Sequence, residues 1–348
     1  MKIEVVTYHL PHPDGTATGR HVFAIWDAVR GMGHDVSAWC WGRAPEGLEP
    51  PTWVRCSPFH DPGGWRRKPA TLLHPRGGLA SVGWEPDPDA VAWAEEPESY
   101  AAVARAERRG VTIYHSEMLD AVALRRPRPE VLQSVRAERH VVRRAGVAIA
   151  FSPRVARVTG VKHLCPVTLP IPAEPLDVVE EPVAVMIADW AWPPNQAALR
   201  RLLDHWSMVR DEVPTARLLV AGRGLTDPIA IDGVEVMGEV AQARDALSRA
   251  AVLAFPCPPT SGPKMKVLDA LAWGLPVVTT LAGVEGIKLA EGTVAVAGEK
   301  DYFATLVEVL KDPQRRLLMA KAGRADVLAS HRPEQAAAAR LALIDAHL

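Results

Sequence analysis

Cysteine is scarce in this 348-residue sequence, and the four that occur (Cys40, Cys56, Cys165 and Cys257) stand far apart. With no C-x-x-C and no nearby pair of histidines, the spacing offers neither a zinc site nor a disulfide framework. Four reduced thiols are the expectation. A charge excess is missing too: 40 Lys+Arg oppose 41 Asp+Glu, a formal net charge of −1. Nucleic-acid binders normally carry a basic excess or stripe, so that class is disfavoured. No run of about 18 apolar residues occurs, which argues against a membrane-spanning helix. The opening Met1-Lys2-Ile3-Glu4-Val5-Val6 runs straight into a strand-like segment without the layout of a signal peptide, so a cytoplasmic location is expected.

What the sequence does contain is alternation. Ile3-Glu4-Val5-Val6-Thr7-Tyr8 is short, β-branched and apolar. After a Pro/Gly/Thr-rich stretch (9–20), Val22, Ile25, Trp26, Val29 and Met32 recur at helical spacing, Gly33 closes the helix, and Asp35–Trp39 resumes a strand. Strand–helix–strand of this size is the unit of a parallel α/β sheet. Further strands fit Ala90–Ala94, Val111–Tyr114 and Val147–Phe151, with helical patterns at about 98–109 and 129–144. Residues 57–88, dense in Gly, Pro and Arg, read as a long surface loop, and their Arg66-Arg67-Lys68 run as a solvated one.

A proline cluster, Pro166 to Pro182, then suggests an extended interdomain connection. Beyond it the alternation restarts. Strands fit 183–187, 217–221, 234–236, 252–255, 276–279 and 293–296; helices fit about 195–211, 241–249, 263–272, 301–310, 313–329 and 333–347. Two successive α/β domains joined by a proline linker follow from pattern alone, with ligands expected at the carboxyl ends of the strands. The expected division is 1–175, 176–331 and a C-terminal helical segment 332–348 packing back on the first domain.

The stretch richest in chemistry is Phe255-Pro256-Cys257-Pro258-Pro259-Thr260-Ser261-Gly262-Pro263-Lys264-Met265-Lys266-Val267-Leu268-Asp269. A buried strand ends in a Pro/Ser/Gly loop, a helix opens near Pro263, two lysines sit at i and i+2, and an acid follows a turn later. Free amides, the positive end of the helix and two ammonium groups together suit a diphosphate. The bland alternative is a solvated helix start with two surface lysines.

Continued through Ala270-Leu271-Ala272-Trp273-Gly274-Leu275-Pro276-Val277-Val278-Thr279, this stretch resembles the donor-site motif of GT-B glycosyltransferases of the retaining GT4-type group (glycosyl transferases group 1). Similar segments recur at Asp189-Trp190-Ala191-Trp192-Pro193-Pro194-Asn195, at Pro214 to Gly224, at Gly233 to Val240, and at Gly283-Val284-Glu285-Gly286. Gly19-Arg20-His21-Val22 and Gly33-His34-Asp35-Val36 are weaker matches in the first half. The resemblance implies two Rossmann-like domains facing across a cleft, the first for an acceptor and the second for a nucleotide-diphosphate sugar.

Carried onto this chain, it implies that Lys264 and Lys266, with Ser261 and Gly262, hold the donor diphosphate, and that Gly15, Thr16 and Gly19 bring backbone amides to the phosphates. Asp269 stands where the family has a ribose-binding Glu. Met237, Gly238, Val240, Gly222 and Arg223 fall in the ribose and base region. Ser261 replaces a Glu found in many members, and Glu95 aligns best with a strand-end His of the acceptor domain. Glu95 and His115 are the candidate catalytic side chains, against the plainer reading of a loop carboxylate and a structural histidine. The usual phosphate-binding Arg after the first donor-domain strand is replaced by Ala188-Asp189, with Arg223 or Arg20 as possible substitutes.

Sugar transfer with retention, without a metal and without a cofactor beyond the nucleotide-sugar co-substrate, is the expectation. A small natural product or saccharide is the favoured acceptor. Nucleotide-sugar epimerisation on the same architecture, or a catalytically silent GT-B-like partner protein, are the rival readings. A dinucleotide oxidoreductase is disfavoured because no G-x-G-x-x-G follows a first strand.

Overall fold

The computed structural model describes residues 1–42, 44–57, 84–123, 129–225 and 228–348. Most of the 57–88 stretch, with Arg66-Arg67-Lys68, lies outside the described residues. The chain divides into two compact units. The first comprises Met1–Pro170, Ser261–Pro263 and His331–Leu348; the second comprises Ile171–Thr260 and Lys264–Ser330.

In the first unit the order is β1 (Lys2–Thr7), α1 (Ala17–Gly31), β2 (Asp35–Cys40), β3 (Val54–Cys56), β4 (Val91–Ala94), a 3-10 turn at Pro97–Ser99, α2 (Tyr100–Val103), β5 (Arg109–Ile113), α3 (Glu117–Ala123), α4 (Pro129–Arg144), β6 (Val147–Ala150), α5 (Pro153–Thr159) and β7 (His163–Leu164). Among the described residues these strands form one parallel sheet in the order β3-β2-β1-β4-β5-β6-β7. Helices cover both faces of such sheets, which is why Val91–Ala94 and Val147–Ala150 are buried throughout rather than alternating. The helix expected over 98–109 is confined to Tyr100–Val103, because the chain must reach β5 in time for Arg109 to pair with Ala92.

The second unit holds β8 (Val183–Ile187), α6 (Pro193–Asp204), α7 (Trp206–Glu212), β9 (Arg217–Ala221), β10 (Val234–Gly238), α8 (Ala243–Leu247), β11 (Val252–Phe255), α9 (Met265–Ala272), β12 (Val277–Thr279), β13 (Ala295–Val296), α10 (Tyr302–Lys311) and α11 (Pro313–Ser330). Its sheet is again parallel, in the order β10-β9-β8-β11-β12-β13. Both units are therefore doubly wound. Strand order reverses beside β1 and β4 in one and beside β8 and β11 in the other, and ligands bind at the carboxyl ends of strands at such points. One helix expected over 195–211 is two. His205 (φ −120°, ψ 8°) leaves the helical region, bonds back to the Arg201 carbonyl at 3.0 Å, and stacks on Phe303 at 4.6 Å.

The last helix, α12 (Pro333–His347), belongs to the first unit and packs on α1. Among its buried residues is Arg340, whose side chain is fully buried in an ion pair with the equally buried Glu95. Trp26 Nε1 donates to Glu95 Oε1 (2.7 Å) and the Tyr114 hydroxyl to Oε2 (2.9 Å). The guanidinium lies over the rings of Trp26 and Trp93, 5.1 and 5.2 Å from their centroids. Trp93 in turn needs Gly110, since any Cβ there would stand 2.3 Å from its ring. Burial alone would raise the Glu95 carboxyl, but Arg340, His21 and the bonded Thr112 and Trp26 outweigh it and hold it below the ordinary value.

A buried pair of this kind is weak evidence for stability but strong evidence for interdependence, because removing one partner strands the other's charge. Arg340→Ala should lower the unfolding free energy by about 3–5 kcal/mol, whereas Arg340→Met combined with Glu95→Gln should lose clearly less. Urea denaturation checks this, and an unchanged midpoint for Arg340→Ala would contradict it.

Candidate functional site

The second unit presents its loops at the carboxyl ends of β8, β9, β11 and β12. β11 ends at Phe255, and the chain runs through Cys257 and Thr260 before α9. The loop is tied to its neighbour: Thr279 Oγ1 donates to the Phe255 carbonyl (2.6 Å) and Thr280 Oγ1 to the Cys257 carbonyl (2.7 Å). α9 starts two residues later than the sequence suggests, because Lys264 is extended (φ −97°, ψ 93°) and serves as its N-cap. The first amides of a helix have no partner within it, and its positive end lies there.

Lys264 is buried at 5% exposure, and Asp269, one turn into the helix, is buried equally. Lys266 is partly buried. Its Nζ donates to Asn195 Oδ1 (2.6 Å) and lies 4.3 Å from the centroid of the Phe255 ring. Asn195 is itself fixed, its Nδ2 donating to the Asp189 carbonyl (2.8 Å). Burial above all, with Lys264 adding to it, lowers the Lys266 ammonium to about 7 against the opposing pull of Cys257 and Asp189. Two lysine side chains thus share one helix start in a poorly hydrated place, which holds one of them close to the neutral form.

Arg223 follows β9, yet Nε and Nη2 both donate to Asp189 Oδ2 (2.9 and 2.6 Å), which brings a guanidinium to the loop after β8. Gly222 allows this close approach of the two loops. Its φ is +120°, and a Cβ there would stand 1.8 Å from the Ala188 carbonyl oxygen. Its amide donates to the Gly238 carbonyl (2.7 Å), so the ends of β9 and β10 are locked together. Met237, Gly238 and Val240 are partly exposed along that edge. Lys264, Lys266, Asp269, Gly222, Arg223, Met237, Gly238 and Val240 therefore all lie on one unit and at strand ends or the helix start beside them. Asn195 and the ion pair between Asp189 and Arg223 were not read from the sequence, although Arg223 itself was a candidate. Asn195 was visible only as the end of Trp192-Pro193-Pro194-Asn195.

The first unit carries the remaining candidates. Thr16 caps α1, its Oγ1 accepting the Gly19 amide (3.2 Å), so that amide already has a partner. Gly19 is needed for close packing, a Cβ there falling 2.2 Å from the Leu10 carbonyl oxygen; Gly15 sits in the same loop. Ser261 and Gly262 group with this unit. The Ser261 amide and hydroxyl both donate to Asp120 Oδ1 (2.7 and 2.8 Å), and its Oγ accepts the Ser116 amide (3.0 Å). His115 is exposed just beyond β5. Glu95 lies at the strand-order reversal, but its carboxylate is enclosed by Trp26, Tyr114 and Arg340.

Next to it stands Glu96, with φ +82°, a left-handed value unusual for any residue but glycine. Its carboxyl is held by Thr7 Oγ1 (3.2 Å), the Tyr8 amide (3.1 Å) and Ser99 Oγ (3.1 Å). Burial pushes it well above the ordinary carboxylate range despite the Tyr8 bond. Among the described residues no group of three His, Cys, Asp or Glu side chains could hold a metal ion, and no helix is long and apolar enough to cross a membrane.

Comparison with known proteins bears on the family and the fold. Residues 181–312 match the family described as Glycosyl transferases group 1. Sucrose-phosphate synthase from Thermosynechococcus elongatus superposes with a TM-score of 0.70 over 99% of this chain and 98% of its own, at 16% identity. Anabaena Alr3699/HepE, solved with UDP and glucose, gives 0.67 over 99% and 100%, at 13% identity. TarM of S. aureus gives 0.63 at 10% identity over 79% of this chain, which spans 57% of TarM's length. Comparison with curated proteins returned no match. The fold is thus that of the GT-B glycosyltransferases, and the matched stretch 181–312 falls, apart from Ser261–Pro263, within the unit that carries Lys264, Lys266 and Asp269.

A bound anion favours the charged form of a neighbouring ammonium. At pH 8 Lys266 is largely neutral in the free protein, so binding of uridine diphosphate should take up protons; at pH 5.5 Lys266 is already charged and its share of the uptake should vanish. Calorimetric titrations in two buffers of different ionisation enthalpy measure this. Equal uptake by Lys266→Met and the unsubstituted protein at pH 8 would contradict the assignment.

Proposed function

We propose that this protein transfers a sugar from a nucleotide-diphosphate sugar to an acceptor hydroxyl. The observation that carries the reading is the start of α9, where Lys264 as N-cap and Lys266 in the first turn flank the opening amides of the helix, within the stretch that matches glycosyl transferases group 1. Leaving-group charge is the main barrier in such a reaction. As the bond between the anomeric carbon and the β-phosphate oxygen breaks, negative charge grows on the diphosphate. Preorganised cations and amides in a dry site stabilise it without reorganising.

In this reading Lys264 meets the diphosphate directly and Lys266, braced by Asn195, supplies charge from behind it. Asp269 accepts the ribose hydroxyls, and the Gly222–Arg223 and Met237–Val240 segments border the base. The acceptor oxygen bonds to the anomeric carbon as the diphosphate leaves. Its proton passes to a phosphate oxygen, so no dedicated side-chain base is required. Retention of configuration and hexosyl transfer follow from the family resemblance. The first unit receives the acceptor, a small natural product or a saccharide. Glu95 is assigned to bracing the first unit rather than to touching the sugar, since its oxygens are taken by Trp26, Tyr114 and Arg340.

The test is turnover and donor binding by Lys264→Ala combined with Lys266→Ala. Turnover should fall by about 100- to 1,000-fold or more, with the circular dichroism spectrum unchanged. Unaltered turnover in a folded double variant would dispose of the reading.

A further inference from the structure

Cys40 closes β2 and Cys56 closes β3, and in the parallel ladder the two residues stand directly opposite each other. Opposed residues project from the same face of a sheet, and neighbouring strands lie about 4.7–4.9 Å apart. That spacing falls within the Cα separation of roughly 4.4–6.8 Å that a disulfide spans. The two differ in access: both are free thiols, Cys40 buried and Cys56 exposed.

Burial raises both thiols, and Glu96 adds to this at Cys40. The Cys40 thiol donates to the carbonyls of Tyr8 (3.5 Å) and Gly42 (3.8 Å), and its proximity opposes part of the rise at Cys56. An accessible sulfur directly opposite a buried one across a strand pair is the arrangement of an attacking and a resolving thiol. Cys165 and Cys257 are both buried.

We propose that Cys40 and Cys56 form a reversible dithiol–disulfide site that reacts with low-molecular-weight disulfides. The Cys56 thiolate, its proton released to solvent, attacks one sulfur of the small disulfide; that S–S bond breaks and one thiolate leaves. Cys40 then attacks the Cys56 sulfur in the mixed disulfide, its proton passing to the second departing thiolate. In sum, two protein thiols are oxidised to one disulfide and one small disulfide is reduced to two thiols. The bond formed ties the edge strand β3 to β2 immediately before Trp41, at the carboxyl end of the first unit's sheet. The inference is independent of the sugar-transfer reading.

The test exposes the full-length native protein to oxidised glutathione at pH 8.5, quenches with acid, alkylates under denaturing conditions and maps the thiols by mass spectrometry. The expected result is loss of two of the four thiols, a Cys40–Cys56 linked peptide, and its reversal by dithiothreitol. Cys40→Ser should accumulate a single glutathione adduct on Cys56, with Cys40→Ala as a second variant should the serine form fail to fold. Cys56→Ser should leave Cys40 unmodified. Four free thiols after the exposure, a link between any other pair, or no adduct on Cys56 in folded Cys40 variants would overturn the proposal.

Discussion

The candidate site of the second unit depends on holding two lysine side chains where water is sparse. A cation moved out of water loses hydration, and the loss is regained only through partners. Lys264 is almost fully buried, and Lys266 is turned onto Asn195 and the face of Phe255. Its lowered proton affinity records that the compensation is incomplete. A site that holds positive charge at some free-energy cost, beside helix amides with no partner inside the helix, gains most when an anion arrives. The surrounding loops are fixed accordingly: Thr279 and Thr280 tie down the β11 loop, and Gly222 lets the β8 and β9 loops meet.

The first unit solves a different problem with a similar device. Its sheet ends in two consecutive glutamates at the point of strand-order reversal, which would be an unstable pair if both were charged. Glu95 keeps its charge because Arg340 reaches it from α12, and Glu96 is pushed toward the neutral form by burial. Separating the two proton affinities in this way resolves the repulsion and makes the C-terminal helix integral to the first unit. The strained backbone of Glu96 is held by bonds to Thr7, Tyr8 and Ser99.

Much of this was legible in the sequence. Local pattern located nearly every strand and the long helices, because apolar runs such as Val183–Ile187 and Val252–Phe255 can only be buried strands in an alternating chain. Lys264, Lys266 and Asp269 were legible for the same reason, being close neighbours along one loop and helix. The misses share a cause. The break at His205 depends on Phe303, and the true surroundings of Glu95 depend on Arg340, 245 residues away. Likewise Asp120 meets Ser261 across 141 residues, and nothing local in either segment signals the other. Short edge strands such as Val54–Cys56 carry too few residues for a period to show.

The central claim is that the start of α9 grips a diphosphate, and a crystal structure of the protein with uridine diphosphate tests it most directly. The account predicts phosphate oxygens within about 3.2 Å of Lys264 Nζ and of the amides that open α9, with the ribose beside Asp269. A diphosphate bound elsewhere, or none at saturating concentration with both lysines unmoved, would contradict it.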